Sequence, residues 1–110
     1  MSSKTIYLAG IILTTLAACS TVQPVNDIPA QIANATTPAD HQRLAEYFTK
    51  KSADYEADAV LHERMVASYT FRPKGDFGSM ASHCRTLAAQ FHASAREAKY
   101  LAAEHQTMAK

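Results

Sequence analysis

The chain has 110 residues, a length that supports one small domain. Its 11 basic and 10 acidic side chains give a formal net charge of +1, so the composition shows neither the basic excess typical of nucleic-acid binding nor an acidic tail. Three glycines, no tryptophan and abundant alanine indicate an all-α protein.

The first 18 residues have the pattern of a secretory signal peptide. Lys4 is followed by an apolar run over residues 6–18, which is too short to span a bilayer as a stable helix. The run ends in the sequence LAAC at residues 16–19, which resembles the lipobox of bacterial lipoproteins. In that class the cysteine receives a thioether-linked diacylglycerol and becomes the first mature residue. The resemblance therefore implies lipidation of Cys19.

The residue after the lipobox indicates where such a lipoprotein would go. It is Ser20 rather than aspartate, which in Gram-negative lipoproteins implies export to the outer membrane, with the domain on the periplasmic side. Acyl chains such as palmitate would anchor Cys19 by about 0.8 kcal/mol per buried methylene. A lipidated Cys19 cannot form a disulfide, so Cys84 is the single thiol of the mature chain. We expect Cys84 to be buried, bound to a metal or paired with another chain.

A tether and a helix start follow the lipobox. Residues 19–37 contain two prolines and no sustained hydrophobic period, and they predict a flexible, lipid-anchored tether. Thr37 has the side chain of a helix N-cap, Pro38 suits the first helical position, and Asp40 adds an acid to the first turn. These residues predict that a helical domain begins at residue 38.

The remaining sequence predicts two long helices. Helical spacing of apolar residues runs over about 38–69 and again over about 80–108. The stretch between them, residues 70–79, contains one proline and two glycines and predicts a turn. Two helices joined by a short loop pack antiparallel, so the sequence predicts a two-helix hairpin over residues 38–110.

The two predicted helices resemble one another. A shift of 43 residues brings the pattern LAxxF, thirteen residues and HxxM into register with itself. The aligned pairs are Leu44-Ala45 with Leu87-Ala88, Phe48 with Phe91, His62 with His105 and Met65 with Met108. The recurrence of histidine and methionine in register suggests a duplicated unit, although its length and pattern match no solenoid repeat.

Histidine, methionine and cysteine fall into two groups along the predicted hairpin. The group near the turn is His62, Met65, Met80, His83 and Cys84, and the group at the open end is His41, His105 and Met108. Thiolate, thioether and imidazole together suit Cu(I), and suit zinc less well. The competing interpretation is core packing, because methionine and free cysteine commonly fill helical cores.

Two other functions have weaker support in the sequence. A thiolate pair of Cys84 with a histidine would lack an oxyanion hole, and the chain has no phosphate-binding glycine loop or haem attachment motif, so we expect no enzyme. The terminal Lys110 resembles the lysine that joins some small helical envelope lipoproteins to peptidoglycan, but their Tyr-Arg-Lys ending is absent. A hairpin would also return Lys110 to the tether end.

The apolar face of the second predicted helix is wider than one partner helix can cover. Alanines at positions 81, 88, 95 and 102 recur every seven residues and would let a helix of another copy approach closely. Two hairpins would then form a four-helix bundle, with Met80 and Cys84 facing the bundle and His83 at its margin. The sequence thus favours self-association or binding of an envelope protein partner, with copper binding as the alternative.

Overall fold

The computed structural model describes residues 27–71, 75 and 77–110. This part of the chain contains three helices and no strands: α1 (Ile28–Asn34), α2 (Pro38–Thr70) and α3 (Gly78–Met108). The predicted all-α class is confirmed, and the long helices begin and end within two residues of their predicted bounds. The signal peptide, Cys19 and the first part of the predicted tether lie outside the described residues.

Helix α1 occupies the end of the segment predicted as a tether, and the sequence analysis did not anticipate it. Proline in the first turn favours a helix start, and the Asn34 side-chain amide donates to the Ala30 carbonyl at 2.8 Å in the last turn. No residue of α1 is buried, and the helix contacts only α2. It therefore adds little to the core.

Helix α2 begins at the predicted N-cap Thr37, which forms a reciprocal capping box with Asp40. The Asp40 amide donates to the Thr37 hydroxyl at 3.2 Å, and the Thr37 amide donates to the Asp40 carboxylate at 2.9 Å. The hydrogen bond from the Thr37 side chain, followed by those from the Thr36 and Thr37 amides, lowers the pKa of Asp40 to about 2. These bonds fix the start of the helix through backbone groups that would otherwise lack partners.

Helices α2 and α3 pack against each other in opposite directions. His41 near the start of α2 meets His105 near the end of α3, and Tyr69 at the end of α2 stacks on Phe77 just before α3. In the middle, the Ser52 hydroxyl donates to the Ala95 backbone carbonyl at 2.9 Å. Because a serine side chain is short, this bond requires the two backbones to lie close together.

The seam between α2 and α3 is built mainly from alanine. Its buried residues are Leu44, Ala45, Ala59, Ala81, Cys84, Ala88, Ala95, Ala98 and Ala102. The alanines at 81, 88, 95 and 102 therefore face α2 of the same chain, and their predicted role as a surface for another copy is wrong. Small side chains allow close interaxial packing, and the nearest available helix is α2.

Gly75 shapes the connection between the two long helices. Its φ of 96° lies in the left-handed region, where a side chain is strained. A Cβ at this position would also approach the Phe77 ring to 2.7 Å. The left-handed backbone therefore favours glycine at this position, and a larger residue would also displace the Phe77 ring.

Within the described residues, none of the helices has both the length and the apolar content needed to cross a membrane.

Candidate functional site

Side chains that meet across the seam recur every seven residues on each helix, and we call this series the seam ladder. Its observed rungs are His41 with His105, Tyr55 with Phe91, and Tyr69 with Phe77. Seven residues make about two helical turns. Because α2 and α3 run in opposite directions, the residue seven positions later on α2 faces the residue seven positions earlier on α3. The same register places Phe48 opposite Ala98 and His62 opposite Cys84.

The rung farthest from the connection is a pair of imidazoles. The Nδ1 atoms of His41 and His105 lie 3.0 Å apart, and the two ring centroids are separated by 5.3 Å. The Phe48 ring stacks on His105 at 5.7 Å and is nearly parallel to it. A hydrogen bond between two Nδ1 atoms requires one imidazole to donate and the other to accept, so at least one ring is neutral.

The surroundings of His105 favour that neutral form. Burial lowers the pKa of His105, the neighbouring His41 lowers it further, and Glu104 opposes the shift. A neutral imidazole can accept a hydrogen bond or bind a metal ion, whereas imidazolium can do neither. The structure thus brings together two of the three residues predicted at the open end, and Met108 beside them is exposed.

The position where the register places His62 opposite Cys84 holds a buried polar atom without a hydrogen bond. The His62 ring stacks on Phe91 with centroids 5.3 Å apart, and its buried Nδ1 has no hydrogen-bond partner. Cys84 is buried with a free thiol. A buried polar atom without a partner is uncommon and calls for a physical explanation.

Two residues predicted to join this group lie away from it. Met80 is 50% exposed, and His83 is also exposed. Consecutive residues on a helix point about 100° apart, so the burial of Cys84 in the seam turns His83 outward. Met65 is half-buried on α2, three residues after His62. In the described part of the chain, no three side chains of the His, Cys, Asp or Glu types are arranged to hold a metal ion.

The 43-residue repeat has a counterpart in the packing. His62 stacks on Phe91, and His105 stacks on Phe48, with interplanar angles of 15° and 3°. Shifting each residue by one repeat converts the first stack into the second. The same shift relates Ser52 to Ala95, which contact each other directly. These contacts fit an approximate two-fold axis that crosses the seam at Ser52.

Large apolar side chains line one side of α3 next to the seam, and we call this row the apolar flank. It consists of Met80, Leu87, Leu101 and Met108, with Ser94 in the middle, and its members are seven residues apart. The two leucines are 37% and 41% exposed, and both methionines are about half exposed. Between this row and α2 runs a groove of about 400 Å³ lined by Tyr47, Lys51 and Leu101 among others.

The other side of the seam is polar. His92 bridges two acids of α2, with Nδ1 at 3.1 Å from Glu56 and Nε2 at 2.9 Å from Glu63. The hydrogen bonds to Glu63 and then to Glu56 raise the pKa of His92. The sequence analysis missed this arrangement, although the two glutamates lie seven residues apart and could have indicated it.

The site thus offers two kinds of chemistry: an apolar surface for another protein, and soft donor atoms in the seam. Comparison with models of known protein families, with curated proteins and with solved structures finds no match to this chain.

Proposed function

We propose that the chain is a bacterial outer-membrane lipoprotein, anchored through Cys19 on the periplasmic side, whose antiparallel hairpin of α2 and α3 associates with a second copy. The support for the anchor is the LAAC sequence at residues 16–19 and the charged, apolar segment before it. The support for self-association is the apolar flank. The proposed role is binding rather than catalysis.

The exposed row of large apolar side chains carries this proposal. The seam of α2 and α3 buries mostly alanines, and Leu44 is the largest side chain that is fully buried in the described residues. A unit of this size gathers little stabilisation from such a core. Burying the apolar flank of each of two copies would add large aliphatic side chains to the buried alanines and half-buried aromatic rings of the seam. Two hairpins joined in this way form a four-helix bundle.

The expected contribution can be worked out from the exposure of the leucines. Fully burying a leucine contributes roughly 1.5–3 kcal/mol, so covering the exposed two-fifths of Leu87 or Leu101 contributes roughly 0.6–1.2 kcal/mol. A symmetric dimer covers four such side chains, which gives roughly 2.4–5 kcal/mol. Because about 1.4 kcal/mol corresponds to a factor of ten, losing them weakens the dimer by at least about 50-fold.

Sedimentation of the full chain in a mild detergent of matched density tests the proposal. We expect the parent to be a dimer and the Leu87→Ala, Leu101→Ala double variant to be a folded monomer at the same concentration. Tyr100→Ala is the matched control, because Tyr100 is exposed and lies about 160° around α3 from the buried Ala98 and Ala102. Equal dissociation of the control, or a parent that is monomeric with full helicity, would contradict self-association through this surface. An envelope protein partner would then be the occupant to seek.

A further inference from the structure

We propose that His62, Cys84 and Met65 form a binding site for Cu(I) in the seam, close to the connection between α2 and α3. This site is separate from the apolar flank, and it does not depend on self-association. It retains three of the five residues that the sequence predicted near the turn and excludes Met80 and His83, which are exposed.

The seam ladder places the first two ligands opposite each other. On one side of this rung Tyr55 stacks on Phe91, and on the other side Tyr69 stacks on Phe77, each with ring centroids 6.3 Å apart. His62 lies seven residues from each tyrosine, and Cys84 lies seven residues from each phenylalanine. The register set by these two observed rungs therefore places the His62 imidazole opposite the Cys84 thiol.

The polar atoms of this rung lack partners within the protein. Nδ1 of His62 is buried without a hydrogen bond, and the Cys84 thiol is buried and free. Leaving a buried polar atom unsatisfied costs about 1–3 kcal/mol, because it has given up water without replacement. A metal ion bound by Nδ1 would remove this cost. Stacking on Phe91 already holds the His62 ring in the seam.

The repeat supplies an observed counterpart of the facing His62 and Cys84 positions at the other end of the seam, where the counterpart of Met65 is exposed. Shifting by 43 residues converts His62 and Met65 into His105 and Met108, and converts His41 into Cys84. At that end the facing donor atoms, Nδ1 of His41 and of His105, are observed 3.0 Å apart. By the same relation, we infer that His62 and Cys84 near the connection can reach one shared ion.

Met65 completes a donor set that selects for Cu(I). It follows His62 by three residues, a spacing that puts two side chains on neighbouring positions of one helix face, and it is half-buried. Thiolate and thioether are soft ligands that favour Cu(I), and imidazole binds it as well. On binding, the Cys84 thiol transfers its proton to water as the Cu–S bond forms, and copper remains Cu(I) throughout. The two imidazoles at the other end already satisfy each other, so we assign the tighter site to the rung with the thiolate.

The test is a Cu(I) titration of the full chain in detergent, without oxygen and against a competing Cu(I) chelator. All variants carry Cys19→Ser, so that Cys84 is the only thiol. We expect His62→Phe, which keeps the ring stack, Met65→Leu and Cys84→Ser each to weaken Cu(I) binding by at least about tenfold. His83→Gln and Met80→Leu are matched controls of the same residue types and should bind like the parent.

X-ray absorption at one equivalent of Cu(I) gives a second readout that does not rely on variants. We expect a first shell of two sulfur atoms and one nitrogen. A shell of nitrogen alone, a parent that does not compete with the chelator, or controls that lose as much affinity as the ligand variants would overturn the site. Circular dichroism of every variant separates ligand loss from unfolding. If a ligand variant unfolds, its residue is tested instead by the X-ray absorption spectrum of the parent, which reports whether sulfur atoms bind copper.

Discussion

Truncation of Leu44 tests whether the α2–α3 seam is the core of the domain. Leu44 is 1% exposed and is the largest fully buried side chain in the described residues, whereas most other seam positions are already alanine. Leucine-to-alanine changes in a core cost about 2–5 kcal/mol, and the higher values occur where the surroundings cannot collapse into the cavity. The seam alanines are fixed on two long helices, so we expect Leu44→Ala to lower the free energy of unfolding by about 3–5 kcal/mol.

Urea unfolding followed by circular dichroism measures this loss, and Val60→Ala is the matched control. Val60 is 45% exposed, so its truncation should change the free energy of unfolding by no more than about 0.5 kcal/mol. Because small domains have about 5–15 kcal/mol in total, the Leu44 variant should unfold at a clearly lower urea concentration. Equal losses in both variants would refute the assignment of the core to this seam.

Four further predictions concern the anchor, the helix start and two histidines. Cys19→Ala should leave the chain unlipidated. In membrane fractionation this variant should therefore be absent from the membrane pellet. Thr37→Ala should lower the free energy of unfolding by about 1 kcal/mol, because it removes the hydroxyl that caps α2, and thermal unfolding measures this change. The pKa of His92 is raised in the folded state, so protonated His92 stabilises the fold fully below pH 6.5 and this stabilisation is lost as pH rises through the folded-state pKa. His92→Gln should remove this loss from the pH profile of stability. The pKa of His105 is lowered in the folded state, so neutral His105 contributes to stability above pH 6.5, and this contribution is lost as pH falls through the folded-state pKa. His105→Phe should remove this loss at acid pH while keeping the stack on Phe48.

Local signals in the sequence were sufficient to predict the two long helices and their bounds. The Thr37 hydroxyl and the Asp40 carboxylate satisfy backbone amides at the start of α2 whatever packs against it, so the helix start can be recognised without tertiary information. The connection could be recognised because Gly75 adopts a backbone conformation that other residues avoid. Helix α1 was missed because its seven residues are too few to show a hydrophobic period.

The face of α3 that meets α2 could not be predicted with the same certainty. Both the alanine row and the row of Leu87 and Leu101 are apolar and recur every seven residues, so periodicity alone does not distinguish them. The structure places the smaller side chains in the seam, where they allow close approach, and leaves the larger ones at its side. One consequence is that a charge introduced by Ala95→Glu would disrupt the packing of α2 against α3.

The candidate ligands show how a small error in register changes a site. If the turn is centred near residue 74 or 75, helix geometry alone predicts that His62 lies opposite Leu87. In the structure its ring stacks on Phe91, one turn farther along α3. The same turn centre predicts that His41 lies opposite Met108, and it instead meets His105, three residues away. Cys84 is buried whereas its neighbour His83 is exposed, because adjacent residues of a helix point in different directions.

Cross-linking between copies in the membrane tests the central claim, self-association through the apolar flank, most directly. Full chains carrying Cys84→Ser and one new cysteine are expressed in a Gram-negative bacterium, and isolated membranes are treated with a short bismaleimide. The new cysteine replaces Met80, Ser94 or Met108 on the flank, which leaves both leucines in place, or Tyr100 on the far side of α3 as the control. We predict that covalent dimers form from cysteines in the flank row and not from Tyr100→Cys. Dimers of equal yield from all four positions, or none from any of them, would contradict the account.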